Sequence, residues 1–268
     1  MLKNVIIATL NNECSRMMLK QYYPPDELKS FVSSILIIKE FTEAIKIFPG
    51  TGAEIWVSSD TFHMTTESNS AADPYQLIIP RVNTFTASPN FSKVMVLRIR
   101  HDALRFLLPQ RTLNYTDKPI ALNDIWKDRW FEALANSSFK ELLDCFNRTK
   151  AKKKSHFTDE ILELLYRNPT KKITEIAEET GLHLRVIQKE FLKKYGITPK
   201  RYQINCRLEH VLKSMVVEPD TYRWFETGYY DQSHFYRDFK RYFTMTPSAF
   251  LKSSYSLFYN TKTKYPLR

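Results

Sequence analysis

Two hydrophobic rhythms divide this chain. From about residue 30 to 100, apolar residues gather into short β-branched or aromatic runs, "FVSSILII", "AIKIF", "AEIWV", "YQLIIP" and "KVMVLRIR". The turn-forming stretches "FPGTG", "SNSAADP" and "TASPN" separate them. Short strands broken by turn signals predict a compact antiparallel sheet, sandwich or barrel. The apolar piece at 5–10 also reads as a strand. "HDALRFLLP" (101–109) then has helical spacing, with Asp102 as a cap and Pro109 as a stop. A further helix is expected over 126–147, where Trp126, Trp130, Leu134, Phe139, Leu142, Leu143 and Phe146 keep a rough helical period.

"NRTKAKKKSHFT" (147–158) is polar, lysine-rich and without apolar periodicity, and reads as a linker. Beyond it the period becomes helical and stays so. "FTDEILELLYRNP" opens with Thr158 as a cap and closes at Pro169. "ITEIAEET" and "LRVIQKEFLKKY" follow, and a long helix starts at Thr198-Pro199, a cap with proline at the first helical position. The expected organisation is a β-rich domain over 1–147, a linker at 148–156, an all-α domain over 157–258 and a tail at 259–268. The fold class is α+β, with the two kinds of element segregated along the chain.

The helical half repeats itself. "GLHLRVIQKEFLKKYGITP" (181–199) and "GYYDQSHFYRDFKRYFTMTP" (228–247) both open on glycine, and both reach the proline of Thr-Pro eight residues after a phenylalanine. A shorter helical segment precedes each, "ITEIAEET" and "TYRWFET". Short helix, glycine turn and longer helix, twice over, is a tandem helix-turn-helix joined by a linker helix. In the second copy Phe235, Phe239, Tyr242 and Phe243 fall at i, i+4, i+7 and i+8, a stripe for a core. Asp231 is placed as its cap. Gln232, Ser233, Tyr236, Arg237, Lys240 and Arg241 take the other side. In the first copy Ile187 and Phe191 face inwards, while Arg185, Gln188, Lys189 and Lys193 face outwards. Guanidinium and amide groups near a helix N-terminus suit base edges in a major groove, where arginine pairs with guanine and glutamine with adenine.

Charge changes the weight of that reading. Residues 151–268 hold 22 Lys and Arg against 13 Asp and Glu, whereas residues 1–150 are close to neutral with 18 against 16. A basic half points to a polyanionic partner for that half alone. A single basic amphipathic helix is more often a solvated face; a repeat with two basic outer faces is the stronger signal. Cys14, Cys145 and Cys206 lie far apart, with no Cys-x-x-Cys spacing, which argues for a reducing compartment and against a zinc knuckle. No apolar run approaches 18 residues, and the expectation is a cytoplasmic protein without a membrane role. The sequence has no Gly-rich phosphate loop, His-x-x-x-His pair or Gly-x-Ser-x-Gly elbow, so an enzyme is not expected. His234 reads as a hydrogen-bonding residue rather than a metal ligand.

The words "ITEIAEETGL", "FLKKYGITPKRY", "RLEHVLKSM" and above all "GYYDQSHFYRDFKRYFTMTPSAF" make residues 157–252 resemble the DNA-binding domain of AraC/XylS-type bacterial transcription regulators. The resemblance implies seven helices, promoter binding, and RNA polymerase as a further partner, with activation rather than repression. Carried over by position, base-reading sites fall on Arg185, Gln188 and Lys189, then on Gln232, Ser233, His234 and Arg237. Lys193, Lys200, Arg201, Lys240 and Arg241 are the expected phosphate contacts. Four positions depart from the pattern. Arg223 and Trp224 stand where the family has an aliphatic and a small residue. Thr244 replaces the glycine matched by Gly196, and His183 replaces a serine cap.

Residues 20–147 resemble, more weakly, a β-rich sensory or dimerisation domain found ahead of this DNA-binding domain in some members, through "YYPPDELKSFV", "IFPGTGAEIWV", "VLRIRHDALRFLLP" and "PIALNDIW". A small-molecule effector inside it and a packed, ligand-free core both fit, as do a homodimer through helix 126–147 and that helix packing on its own sheet. No cofactor is implied. A non-DNA-reading interaction protein that keeps the fold, such as an anti-regulator, is the alternative function, motivated by "YRWF".

Overall fold

A computed structural model describes residues 4–12, 15–40, 43–89, 91–107, 115–125, 139–152, 156–217 and 224–253. Its first half is an antiparallel sheet of strands β1 (Asn4–Asn12), β2 (Ser15–Tyr22), β3 (Val32–Lys39), β4 (Ile45–Ile47), β5 (Ala53–Thr65), β6 (Ser70–Ile78), β7 (Phe85–Ala87), β8 (Lys93–Ile99) and β9 (Ile120–Ala121). The hydrogen-bonded order is β1-β2-β3-β8-β5-β6-β9, while β7 joins β4 to the far end of β5. Successive strand residues point to opposite faces, and here both faces are buried. Ile35, Ile55, Leu77 and Leu97 enter one core, and their neighbours Leu36, Trp56, Ile78 and Val96 enter the other. That double burial is why the strands read as unbroken apolar runs rather than as alternation.

The short β4–β7 pair closes the second face with Ile45, Ile47 and Phe85. Helix α2 (Phe139–Lys152) covers the first with Leu142 and Phe146, the latter stacked on Phe31 at 4.5 Å. The apolar face of α2 is therefore directed at its own sheet. The helix also runs to Lys152, five residues past its expected end and into the stretch read as linker. Trp126, Trp130 and Leu134 lie outside the described residues, as do Pro109 and Cys14.

The helix expected over 101–109 is a single turn, α1 (Leu104–Leu107). Asp102 does not cap it: its carboxylate is paired with Arg100 at 3.1 Å.

The second half is helical throughout. It comprises α3 (Phe157–Arg167), α4 (Ile173–Thr180), α5 (Leu184–Tyr195), α6 (Pro199–Val217), a 3-10 turn at Trp224–Thr227, α7 (Gln232–Phe243) and α8 (Pro247–Lys252). Helix α3 is capped by His156, not Thr158: the His156 ring accepts the Thr158 N–H, and Asp159 accepts the His156 N–H to complete a capping box. Thr158 is buried inside the first turn. Two cores form, one around Ile161, Ile176, Ile187 and Phe191 and the other around Phe235, Phe239, Phe243 and Phe250, with α6 crossing between them.

The two halves meet on α6. Phe48 leaves the sheet domain and enters the second helical core, 5.1 Å from Phe243. Arg81, fully buried, donates to the carbonyls of Gly50 and Gly52 at 2.8 Å, and Asn205 on α6 donates to the carbonyls of Gly50 and Arg81 at 3.0 Å. Both of these Arg81 bonds come from Nη1 and offset part of the cost of burying the charge.

Candidate nucleic-acid interface and interdomain cavity

Helices α5 and α7 each follow a turn that opens on a glycine with positive φ, 65° at Gly181 and 83° at Gly228. Their N-termini are held by side chains. His183 accepts the Arg185 N–H through Nδ1 at 3.2 Å, so the histidine itself supplies the cap acceptor, and Asp231 accepts the His234 N–H at 2.6 Å. Ile187 and Phe191 are fully buried, as are Phe235, Phe239 and Phe243. This burial fixes the rotation of each helix and so decides what faces outwards.

On α5 the outward residues are Arg185, Val186, Gln188, Lys189, Leu192 and Lys193, all exposed. On α7 Gln232, Ser233, Arg237, Lys240 and Arg241 are exposed and His234 is half-buried, with its ring edge-on to Tyr229 and Nε2 3.8 Å from Asp238. Tyr236, placed on the outer side by spacing, is half-buried and sits edge-on to Phe235 at 5.6 Å. Tyr230, which spacing did not single out, is 93% exposed at the entrance to α7. Arg237, His234 and Arg241 line an open concavity with Tyr230, Asp231 and Asp238.

The expected phosphate contacts are less uniform. Lys193, Lys240 and Arg241 are exposed, and so is Lys200, although its Nζ bonds Gln203 at 3.2 Å. Partial burial and the nearby Arg207 depress the Lys200 ammonium below its ordinary pKa. Arg201 is half-buried, its guanidinium 4.9 Å from the centre of the Tyr242 ring, so it also ties α6 to the second core. The Cys206 thiol is buried, which pushes its pKa well above the ordinary value.

The segment before Gly228 departs from its counterpart. Where the first unit has the two-turn helix α4, the second has the 3-10 turn, and Trp224 lies parallel to Phe235 at 6.1 Å. The larger ring is accommodated by a tighter, shorter support. Arg223 lies outside the described residues. At the other end, Thr244 adopts the left-handed conformation that Gly196 adopts in the first unit, with φ of 57° against 68°.

A cavity of about 950 Å³ lies between the halves. Tyr23, Lys29, Phe48, Arg98 and Arg100 line it from the sheet side, and Glu163, Tyr166, Glu209 and Lys213 from α3 and α6. Its charges are paired: Arg98 with Glu54 at 3.0 Å, His101 with Glu163 at 2.9 Å and Lys213 with Glu209 at 3.0 Å. The His101 hydrogen bond, helped by Arg167 and opposed by desolvation, pulls Glu163 down to about 2. Burial would raise Glu209, but Lys213 and the Thr51 hydroxyl hold it at about 2. Burial would likewise depress Lys213, yet Glu209 and Tyr166 keep it above its ordinary value.

Two capped helices with basic outer faces, each behind a glycine turn, form a tandem helix-turn-helix, an arrangement suited to a polyanionic partner. Residues 176–253 match the family model of a helix-turn-helix domain. Across both halves the chain shares its fold with ToxT from Vibrio cholerae. One ToxT crystal structure superposes with a TM-score of 0.51 at 16% identity over 84% of this chain and 98% of that one. A second, at 1.65 Å resolution, gives 0.54 at 13% identity over 83% and 98%. A third, bound to (E)-4-(8-methylnaphthalen-1-yl)but-3-enoic acid, gives 0.50 at 13% identity over 81% and 98%. No curated protein matches the sequence.

Proposed function

We propose that the chain is a sequence-specific transcription activator that lays α5 and α7 into successive major grooves of a promoter, about 34 Å apart. Arg185, Gln188 and Lys189 on the first helix, and Gln232, Ser233, His234 and Arg237 on the second, read base edges. Lys193, Lys200, Arg201, Lys240 and Arg241 hold phosphates, and RNA polymerase is the downstream partner. The observation that carries the reading is the exposure of Arg185, Gln188 and Arg237 on helices whose opposite faces are fully buried. Such a face has no packing role, and its donors match the hydrogen-bond pattern of purines.

The test starts from duplexes enriched by the full chain from a randomised pool. Gln188→Ala and Arg237→Ala each lose about 1–3 kcal/mol of discrimination at a defined base. Lys240→Ala weakens all sequences evenly and shallows the salt dependence by about one charge. A pool that yields no recurring motif would overturn the reading in favour of an interaction protein.

We further propose that the interdomain cavity takes a small amphipathic carboxylic acid. Its volume and mixed lining of Tyr23, Phe48, Lys29, Arg100 and Lys213 support this, as does the carboxylic acid named with one ToxT structure. Calorimetric titration with naphthyl-butenoic and long-chain fatty acids tests it. Lys213→Ala is expected to weaken binding about tenfold, and heat evolution unchanged by that variant would sink the site assignment.

A further inference from the structure

Resting on the DNA-reading role of α5, the geometry points to Arg105 and Thr116 of the sheet domain as positioning residues that set the tilt of α5 through its C-terminal end. The centre of this device is Asp159, at the start of α3 and only 5% exposed at its side chain. Its carboxylate receives four donors from three parts of the chain. Oδ1 accepts from Lys194 at 2.6 Å and from the Tyr195 hydroxyl, both in the last turn of α5. Oδ2 accepts the His156 N–H at 2.9 Å and meets Nη1 of Arg105, on α1, at 3.1 Å. A carboxylate offers about four lone-pair sites, so the hub is saturated. Such a geometry resists rotation of any one partner.

A second contact falls on the same end of α5. Thr116 packs so closely on Gly196 that a Cβ there would overlap its Oγ1. Gly196 is the residue that ends α5, its N–H bonded to the Leu192 carbonyl at 2.8 Å. Two separate segments of the sheet domain thus grip the tail of the helix whose head carries Arg185 and Gln188. Arg185 lies ten residues from Tyr195, about 15 Å along the axis. A tilt of about 5° at the gripped end then moves the reading side chains by about 1.3 Å, more than a base-edge hydrogen bond tolerates. Helix α7 takes no donor to this hub, so the effect belongs to one half of the binding site.

The experiment uses the full chain and duplexes enriched from a randomised pool, with each base pair then substituted singly. In Arg105→Ala, discrimination at the bases assigned to α5 by Gln188→Ala falls about fivefold. Discrimination at the bases assigned to α7 by Arg237→Ala stays within about twofold. Arg105→Lys restores most of the loss, and Thr116→Leu, which pushes on Gly196, repeats the half-site pattern. Thermal melting of each variant separates tilt from unfolding, because unfolding lowers affinity over the whole site. An even loss across both halves, or no change in either variant, overturns the inference. Failure of the wild-type chain to enrich any motif instead overturns the DNA-reading role itself.

Discussion

The two helix-turn-helix units are built on one plan but held by opposite physics. The sheet domain touches the tails of both α5 and α7. At α5 the contact is polar, Arg105 on the Asp159 hub and Thr116 against Gly196. At α7 it is apolar, Phe48 packed against Phe243 and Phe250. The supports differ too: a capped two-turn helix before α5, and a single 3-10 turn stiffened by Trp224 on Phe235 before α7. A polar hub has directional bonds and fixes orientation. An aromatic plug contributes burial, which is non-directional and larger. The first unit is therefore the more precisely oriented of the two, while the second depends for its stability on a residue from the other domain.

The comparison can be broken from either side. The largest expected effect is Phe48→Ala, a buried ring removed from a foreign core, which costs about 3 kcal/mol. Hydrogen exchange places the loss: amides of α7 and α8 speed up, while those of α4 and α5 hold. Uniform acceleration in both units would show that they do not differ in this way. Next, Gly196→Ala destabilises by about 2 kcal/mol in chemical denaturation, because it combines a left-handed φ with overlap on Thr116.

Acid separates the polar contacts from the apolar ones. Glu163 and Glu209 ordinarily titrate near 4.5 but are held at about 2 in the fold. The unfolded chain then takes up protons before the folded chain does. Their stabilising contribution is complete above about pH 5 and drains as pH falls towards 2. Glu163→Gln flattens the fall in denaturation midpoint between pH 5 and 3; an unchanged slope would deny the His101–Glu163 pair a role in joining the halves. The smallest effect is Thr244→Gly, which relieves a left-handed threonine and stabilises the second unit by about 0.5 kcal/mol, read as a raised melting temperature.

Much of this was legible because it is periodic. The spacing of Phe235, Phe239, Tyr242 and Phe243 named the buried stripe of α7, and all four are buried. Ile187 and Phe191 did the same for α5. Caps were legible where a short acceptor stands alone, as at Asp231, and illegible where two candidates compete. His156 displaced Thr158 because the histidine ring reaches the helix N–H groups from outside, which let Asp159 close the box. Tyr236 was misread because an outward position on a helix still leaves a long ring free to lie back over Phe235. The helix around Leu142 and Phe146 overran its expected end, since its last turn is polar and carries no periodic signal.

By itself the sequence determined the local elements, the two units and which faces of α5 and α7 look outwards. These follow from hydrophobic period and turn chemistry between near neighbours in the chain. Only the tertiary structure decided what joins the halves. Phe48, Arg81, Arg105 and Thr116 look like ordinary strand, loop and helix residues in sequence, and their partners lie from roughly eighty to two hundred positions further on, or as few as about fifty for Arg105. Contacts at such separations leave no periodic trace, because they are fixed by how two finished surfaces meet.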